Sequence, residues 1–272
     1  MDLSGERSVR AALSIVIPAY NEAGRLPGTL TALERWGRTW GGGQVEVIVV
    51  DDGSDDQTAT LAQRWASGLP DGGMGAVVVR APHRGKGSAV ARGMAEAEGA
   101  LRMFMDADLA VPLGHVAELL KALDDGADVA IGSRELAGSS RSREPAYRHL
   151  LGRGFNQLVR WIAVGGYADT QCGFKAFTGG AAEQIFDRIR LYPVDGHILA
   201  YSRVTAFDVE LLAIAEELGL VVGEIPVRWR HVERSNVRPV VDALLMLGDA
   251  LRVRWNRWRR TYTRPRRGTD HW

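Results

Sequence analysis

Short apolar runs alternate with amphipathic stretches along the first half of the chain. The amphipathic stretches repeat apolar residues at helical spacing, as Leu26, Leu30 and Leu33 do. The apolar runs are rich in β-branched residues, and runs of this length predict strands that are covered on both faces. This alternation predicts an α/β fold with a mostly parallel sheet. The five runs are residues 13–18, 45–50, 76–80, 101–105 and 128–132.

The alternation stops after about residue 135. The polar and basic segment ELAGSSRSREP predicts a surface loop, and a helix is expected to follow it over about residues 146–164. Helical spacing returns at about 180–188 and 207–219. The segment VVGEIPVRWRHV then predicts a strand, and an amphipathic helix is expected over about 239–258.

Composition and charge limit the possible classes of protein. The 272 residues are 46% hydrophobic and 25% charged, with a net charge of +1, which excludes a general attraction to nucleic acid. The single cysteine, Cys172, excludes an intrachain disulfide framework and fits a reducing compartment. The first twelve residues resemble no secretory signal, and no run of about 18 apolar residues predicts a membrane span. We therefore expect a soluble or peripheral protein.

A polar motif follows each of the five predicted strands. In chain order the motifs are PAYNE, DDGS, HRGKG, DAD and GSR. Because ligands of open parallel sheets bind beyond the carboxyl ends of the strands, these motifs predict a single binding site. In the second motif, Asp51 is expected to accept hydrogen bonds from a ligand, while Ser54 and Gln57 predict a helix-capping box.

The HRGKG and DAD motifs each allow two interpretations. HRGKG lacks the spacing of a Walker loop or a dinucleotide fingerprint, so Lys86 either lies near a ligand's phosphate or base or is a solvated lysine. Asp106 and Asp108 are expected to point the same way, because residues i and i+2 of an extended chain share a face. Such a pair repels unless a cation lies near it, and carboxylates suit Mg²⁺ or Mn²⁺. The alternative is a polar loop with an aspartate cap.

The five motifs, in this order and at these spacings, resemble those of family 2 inverting glycosyltransferases with the A-type nucleotide-sugar fold. The later segments DTQCGFKAF, FDVELL and EIPVRWRHVERS resemble the branch that makes polyprenyl-phosphate sugars, closest to the dolichyl-phosphate β-glucosyltransferases. The resemblance covers about residues 13–255. It implies a Rossmann-like sheet flanked by helices, with C-terminal helices on the acceptor side. The implied reaction is the metal-dependent, inverting transfer of glucose from UDP-glucose to a polyprenyl phosphate.

The resemblance also implies a role for each motif residue. Asp106 and Asp108 would serve the metal, Mg²⁺ or Mn²⁺, and the donor diphosphate. Arg134 and Arg148 would receive the acceptor phosphate, and Asp169 would lie near the reaction centre as an orienting group or a weak base. The catalytic set is therefore expected to be Asp108, Asp169 and Arg134. The nucleotide base and ribose would be held by Pro18, Ala19, Tyr20, Glu22 and Asp51, with Lys86 beside them.

Two departures from the family pattern bear on the substrates. Ala110 stands where related mannosyl-transferring enzymes often place a glutamine, which favours glucose over mannose. The segment before FDVELL, residues 190–206, is longer than usual in the family, which leaves open whether it forms a lid on the acceptor side. Asp208 and Glu210 of FDVELL either close the site or are structural. A GDP-mannose-dependent polyprenyl-phosphate mannosyltransferase, a family 2 enzyme with a soluble acceptor, and a silent nucleotide-sugar-binding protein remain alternatives.

The C-terminal helix predicts a contact with the membrane. Its apolar residues fall along one broad helical face, namely Leu244, Met246, Leu247, Leu251, Trp255 and Trp258, and arginines cluster toward its end. Tryptophans and arginines beside such a face suit an interfacial helix on anionic lipid, while a core-packed or dimer helix is the alternative. We expect a cytoplasmic protein, peripheral at the inner face of the membrane, with no nucleic acid partner. The predicted divisions are a disordered N-terminus (1–12), a nucleotide-sugar-binding half (13–135), an acceptor-binding half (136–236), an amphipathic basic helix (237–260) and a disordered tail (261–272).

Overall fold

A computed structural model describes residues 11–70, 72–142, 162–199, 206–230 and 239–265. Arg148 and most of the helix predicted at 146–164 lie outside these residues. The strands are β1 (Leu13–Ala19), β2 (Val45–Asp51), β3 (Met74–Arg80), β4 (Leu101–Met105), β5 (Val129–Ser133), β6 (Ser140–Ser142), β7 (Phe174–Thr178), β8 (Val222–Pro226) and β9 (Arg228–Arg230). The helices are α1 (Leu26–Thr39), α2 (Thr58–Ser67), α3 (Lys86–Glu96), α4 (Val116–Asp124), α5 (Gly179–Phe186), α6 (Phe207–Glu217) and α7 (Pro239–Trp258).

One mixed sheet of seven strands organises the described residues, in the order β3-β2-β1-β4-β7-β5-β8. All neighbouring pairs are parallel except those of β7, which runs antiparallel to both β4 and β5. The five strands of the first half confirm the sequence prediction to within two residues at each end. The position of β7 was not predicted. It comes from the second half of the chain, yet it separates two strands of the first half.

The sheet is covered on both faces, as its apolar strands require. Alternate residues of β1 point to opposite sides, so Ile15 and Ile17 pack with α1, α2 and α4, whereas Val16 packs with α3. Helices α5, α6 and α7 extend the second layer. The carboxyl ends of the parallel strands therefore stay open at one edge, while their faces are buried.

Several predicted boundaries are wrong. Residues 140–142, expected in a loop, form β6, which pairs with β9. Residues 11 and 12, expected to be disordered, form backbone hydrogen bonds with Ala100 and Gln44. The predicted disordered tail begins with a 3-10 helix, Thr261–Thr263, because Tyr262 is fully buried against the core.

Helix α7 confirms the predicted amphipathic helix but places its faces differently. Met246, predicted on the exposed apolar face, is buried together with Ala250 and Val253, so this face packs on the core. The outward apolar residues are Leu244, Leu251, Trp255 and Trp258. None of the described helices combines the length and the apolarity needed to cross a bilayer.

Candidate active site

The ends of β1 and β2 lie side by side and bring the first two motifs together. Ala19 pairs with Asp51 in the parallel register, and Pro18 and Ala19 are buried. Asp51 is only 4% exposed, and within the described residues its Oδ1 atom has no hydrogen-bond partner. Buried polar atoms are normally paired, so an unpaired carboxylate oxygen marks a position where a ligand can donate.

The loops after β1 and β2 hold each other through side chains. The Asn21 amide donates to Ser54 Oγ at 2.9 Å, and the Glu22 amide donates to Thr58 Oγ1 at 2.8 Å. The capping box predicted from Ser54 and Gln57 is therefore wrong. Helix α2 begins at Thr58, whose amide donates to Asp56 Oδ1 at 2.9 Å, because Ser54 is used to bind the first loop.

Asp52 and His83 form a link between the second and third motifs that sequence reasoning missed. Asp52 is buried and accepts hydrogen bonds from the amides of Arg84 and Gly85, and His83 Nδ1 lies 2.7 Å from its Oδ2. Burial raises the pKa of the Asp52 carboxyl, although these partners act in the opposite direction. The His83 ring stacks on Tyr20 with centroids 3.9 Å apart. Asp52 thus fixes the turn that leads to Lys86, and the only sequence signal for it was the second aspartate of DDGS.

Lys86 begins α3 and reaches across to the fourth motif. Its Nζ lies 2.6 Å from Asp106 Oδ1, with 34% of the Lys86 side chain and 40% of the Asp106 side chain exposed. Burial lowers the pKa of Lys86, but the carboxylates of Asp106 and Asp208 outweigh it and leave the pKa raised. Lys86 is therefore a charged, paired lysine rather than a freely solvated one.

Asp106 and Asp108 lie close together just beyond β4. Burial, followed by the charge of Asp106, raises the pKa of Asp108, whose Oδ1 accepts from the Ala110 amide at 3.0 Å. Burial also raises the pKa of Glu22, and the charges of Asp108 and Asp106 add to that rise, so all three carboxylates share one edge. Within the described residues, no group of three or more His, Cys, Asp or Glu side chains could hold a metal ion.

A small cleft opens beside Asp106. Ala110, Gly173 and Trp229 also line it. A Cβ atom at residue 173 would lie 2.2 Å from Asp106 Oδ2, so only glycine lets the backbone approach this carboxylate. The cleft thus lies between Asp106 and Trp229.

Arg134 and Asp169 form a bidentate ion pair at the far side of Trp229. Arg134 Nε lies 2.6 Å from Asp169 Oδ2, Nη2 lies 2.9 Å from Oδ1, and the guanidinium lies 5.6 Å from the centre of the Trp229 ring. Asp169 is fully buried, which raises its pKa, but Arg134 outweighs this and lowers the pKa to about 2. Asp169 therefore stays ionised and holds Arg134 in place, which favours the orienting role over the weak base.

Asp208 and Glu210 have different environments although both lie on α6. Asp208 Oδ1 is 2.5 Å from Nζ of Lys175, a fully buried lysine on β7 that sequence reasoning missed. Glu210 is also fully buried and accepts hydrogen bonds from the Leu191 amide and the Tyr262 hydroxyl. Asp208 lies close enough to Lys86 for its charge to raise the pKa of that lysine. Glu210, in contrast, has a structural role.

Comparison with known proteins matches this chain to one family. The family model "Glycosyl transferase family 2" matches residues 14–179. Curated relatives include a dolichyl-phosphate beta-glucosyltransferase of Homo sapiens, 36% identical over 253 residues, which cover 89% of this chain and 74% of the relative. The protein of the same name from Drosophila melanogaster is 37% identical over 270 residues, covering 93% and 77%.

Solved structures share the fold at lower identity. A mannosyltransferase from Pyrobaculum calidifontis, in complex with GDP-Man and Mn²⁺, has a TM-score of 0.57 and 21% identity, over 90% of this chain and 65% of that one. Glucosyl-3-phosphoglycerate synthase from Mycobacterium tuberculosis, in complex with Mn²⁺, UDP and glucosyl-3-phosphoglycerate, has a TM-score of 0.56 and 21% identity, over 96% and 82%. These similarities confirm the predicted A-type glycosyltransferase fold.

Proposed function

The chain belongs to glycosyl transferase family 2, and we propose that it transfers glucose from UDP-glucose to a polyprenyl phosphate of the dolichyl type. The observation that carries this proposal is that one edge of the sheet carries Asp51 at the end of β2 and, beyond β4, the Asp106–Asp108 pair with Lys86 bound to Asp106. The cleft beside Asp106 leads from this edge toward the Arg134–Asp169 pair. Relatives at 36% and 37% identity that are named dolichyl-phosphate beta-glucosyltransferase support the choice of sugar and acceptor.

The donor's base and ribose bind between the ends of β1 and β2. The unpaired Oδ1 of Asp51 accepts a hydrogen bond from a base N–H group. Tyr20 offers an aromatic ring beside it, held by the stack on His83. Pro18 and Ala19 are buried and shape the strand end, while Glu22 is fixed by an ion pair with Arg25, the two groups lying 2.6 Å apart.

The donor's diphosphate binds on the side of Asp106 and Asp108, where Mg²⁺ or Mn²⁺ fits. Burial and then the negative charge of Asp106 raise the pKa of Asp108, and a divalent cation relieves the repulsion between the two carboxylates. Mg²⁺ sites commonly use one or two carboxylates and leave the other positions to substrate phosphates and water. Two similar solved structures contain Mn²⁺. When bound, the ion would stabilise negative charge on the leaving nucleoside diphosphate.

The acceptor phosphate binds near Arg134. A guanidinium matches phosphate oxygens in a planar fork, and Asp169 fixes the plane of this one through hydrogen bonds of 2.6 and 2.9 Å. Trp229 supports the same guanidinium from one side. Arg148, the second predicted phosphate ligand, lies outside the described residues and stays a prediction.

The reaction is a single in-line displacement with inversion at the anomeric carbon. A phosphate monoester has a second pKa of about 6, so its dianion is a competent nucleophile near neutral pH and needs no strong base. A phosphate oxygen forms the new bond to the anomeric carbon as the bond to the nucleoside diphosphate breaks. Arg134 aims the attacking phosphate, and Lys86 adds positive charge beside Asp106 on the donor side.

Helix α7 places the enzyme on a membrane surface. Leu251, Trp255 and Trp258 are exposed on its outward side, and Arg252 and Arg259 flank them. Tryptophans and arginines of this arrangement suit the boundary between headgroups and acyl chains of anionic lipid. Arg257 instead faces the protein, where it pairs with Glu216 of α6 at 2.6 Å. The buried free thiol of Cys172 fits the reducing cytoplasmic side.

Sugar transfer into lipid tests the reaction. The purified chain is incubated with labelled UDP-glucose or, separately, GDP-mannose, with Mn²⁺ and with short and long polyprenyl phosphates. We expect label in lipid from UDP-glucose only, lost in Asp108→Asn. Label from GDP-mannose alone would favour the mannosyltransferase, which Ala110 argues against. Release of nucleoside diphosphate without lipid label would indicate a soluble acceptor.

Vesicle flotation tests the membrane surface independently. We expect wild-type protein to float with anionic vesicles and the variant Trp255→Ser/Trp258→Ser to stay at the bottom of the gradient. Val221→Ser is the matched control, because Val221 is also an exposed apolar residue but does not lie on α7. Equal flotation of the double variant and wild type would remove α7 from the proposal.

A further inference from the structure

One segment of the second half crosses the third motif on the donor side. We call Arg190–Leu199 the strap and residues 83–88 the glycine turn. The sequence left open a lid on the acceptor side for residues 190–206, but the described part of this segment contacts the turn that carries Lys86. The contacts are Arg84 Nη1 to the Val194 carbonyl at 3.0 Å, Ser88 Oγ to the Pro193 carbonyl at 3.0 Å, and the Leu199 amide to the His83 carbonyl at 2.7 Å.

The strap and the glycine turn are also packed without space between them. A Cβ atom at residue 87 would lie 2.9 Å from Cβ of Tyr192 and 2.8 Å from the Phe207 ring, so glycine is required there. The rings of Tyr192 and Phe207 meet edge to face, with centroids 5.9 Å apart. A shift of the strap therefore has to move the turn, because close-packed interiors transmit displacement.

The other side of the strap is fixed to α7. The Tyr192 hydroxyl donates to Asp249 Oδ2 and accepts from the Ala206 amide at 3.0 Å. Asp249 lies on α7 and is buried. Burial and the charge of Asp249 raise the pKa of Tyr192, so the hydroxyl keeps the proton that it donates. The strap is thus tied to α7 at Tyr192 and to the glycine turn at the residues that follow.

A second anchor fixes the first residues of the strap. Glu210 accepts hydrogen bonds from the amides of Arg190 and Leu191 at 2.9 and 3.0 Å, and from the Tyr262 hydroxyl at 3.1 Å. Tyr262 follows α7 in the chain. Both anchors therefore connect the strap to the C-terminal part of the protein, so a truncation before residue 249 would remove more than a membrane contact.

We propose that the strap is a positioning element of the donor site and that Tyr192 is the positioning residue through which α7 holds it. The inference rests on the proposed function for its ligand, a nucleoside diphosphate. Tyr192 has no need to touch this ligand. It acts through the glycine turn, which places Lys86 beside Asp106 and whose amides at Arg84 and Gly85 bind Asp52.

Tyr192→Phe tests the proposal, because it removes the hydroxyl and keeps the ring. Hydrogen exchange of peptides that cover residues 83–88 should become faster. The Kd for UDP, measured by calorimetry with Mn²⁺, should rise about 3- to 10-fold, because the buried hydrogen bonds that the Tyr192 hydroxyl makes with Asp249 and the Ala206 amide are lost. At saturating donor, kcat should stay within about twofold, since no group near the anomeric carbon is changed.

Matched variants separate positioning from a general loss of stability. Asp249→Asn keeps an acceptor for the Tyr192 hydroxyl and should restore most of the affinity, whereas Asp249→Ala should resemble Tyr192→Phe. The double variant Tyr192→Phe/Asp249→Ala should bind UDP no more weakly than Tyr192→Phe, because both changes remove the Tyr192–Asp249 hydrogen bond. Tyr167→Phe removes a hydroxyl that bonds to Glu216, away from the strap, and should leave the Kd unchanged.

Hydrogen exchange and UDP binding can contradict different parts of the account. Unchanged exchange at the glycine turn in Tyr192→Phe would overturn the proposal, and so would faster exchange with an unchanged Kd. If the wild-type protein binds neither UDP nor GDP, the proposed donor is wrong. The exchange measurement then still decides whether Tyr192 holds the turn.

Discussion

At the end of β4, Asp106 keeps 40% of its side chain exposed, whereas Asp169, in the second half of the chain, has none exposed. The partners differ as well. Asp106 faces Lys86, which is itself partly exposed and carried on a turn. Asp169 is bound by both nitrogens of a guanidinium fork and by the Gln171 amide at 3.1 Å. The first carboxylate can exchange its partner for a ligand, while the second has no free oxygen to offer.

The same contrast extends to the other acidic residues. Asp108 lies with Asp106 and has one backbone partner, whereas Asp208 faces a buried lysine and Glu210 faces backbone amides. Carboxylates whose oxygens already accept hydrogen bonds or form ion pairs within the fold have a structural role. Carboxylates that still repel each other are available to bind a ligand. The predictions below test this division.

The largest effect is expected at the open carboxylates. Asp108→Asn should lower sugar transfer about 100- to 1,000-fold, because it removes a group that acts on developing charge, and it should leave the unfolding midpoint unchanged or slightly raised. Transfer assays and denaturant unfolding measure the two quantities. Asp125→Asn is the control, since this exposed aspartate pairs only with Lys121 at the surface. If the loss of sugar transfer came with a large fall in the unfolding midpoint, Asp108 would belong with the structural carboxylates.

The next effect concerns the closed pair. Arg134→Met should lower the free energy of unfolding by about 3 to 5 kcal/mol, because it leaves the buried charge of Asp169 without a partner. Lys121→Met breaks an exposed pair and should cost less than about 1 kcal/mol. Urea unfolding of both variants makes the comparison. Equal small losses would mean that the Arg134–Asp169 pair contributes no more than a surface pair.

The smallest effect is a pH dependence at Glu210. Burial raises the pKa of this carboxyl from an ordinary value near 4.5 to about 7. Between these pH values the folded protein holds a proton that the unfolded chain has released, so this group's contribution to stability falls as the pH rises. Glu210→Gln does not titrate there, so it does not lose stability in this way. The unfolding free energy of the variant minus that of wild type should therefore rise by about 2 to 3 kcal/mol from pH 5 to pH 8.

Glu34→Gln is the control for that measurement, because Glu34 forms an exposed pair with Arg38. Its difference from wild type should stay constant over the same pH range. A constant difference for Glu210→Gln as well would show that the buried carboxyl does not titrate between pH 5 and pH 8.

The sequence predicted the first half of the chain, which carries Asp106 and Asp108, better than the second half, which carries Asp169. Hydrophobic period and strand-end motifs are local signals, so β1 to β5 and the placement of Asp51, Lys86 and Asp106 after strands at one edge of the sheet could be predicted. The place of β7 could not, because FKAFT is a short apolar run and nothing local states which strands it separates. The Arg134–Asp169 pair spans 35 residues, and Tyr192–Asp249 spans 57, so spacing alone could not reveal them.

Local signals also misled where tertiary contacts used the same residues. Ser54 and Gln57 fit a capping box, but Ser54 Oγ accepts from the Asn21 amide instead, and the Thr58 amide at the start of α2 donates to Asp56. Helical spacing places Met246 on the outward face of an amphipathic helix, but in the structure this residue is buried in the core. Periodicity identifies an apolar face without stating what covers it.

The most direct test of the division between open and closed carboxylates is the binding of Mn²⁺ in the presence of UDP, measured by electron paramagnetic resonance. Asp106→Asn and Asp108→Asn should each lose most of the bound Mn²⁺, while Asp169→Asn, if it stays folded, should keep wild-type binding. Wild-type binding in both Asp106→Asn and Asp108→Asn, or its loss in folded Asp169→Asn, would contradict the account.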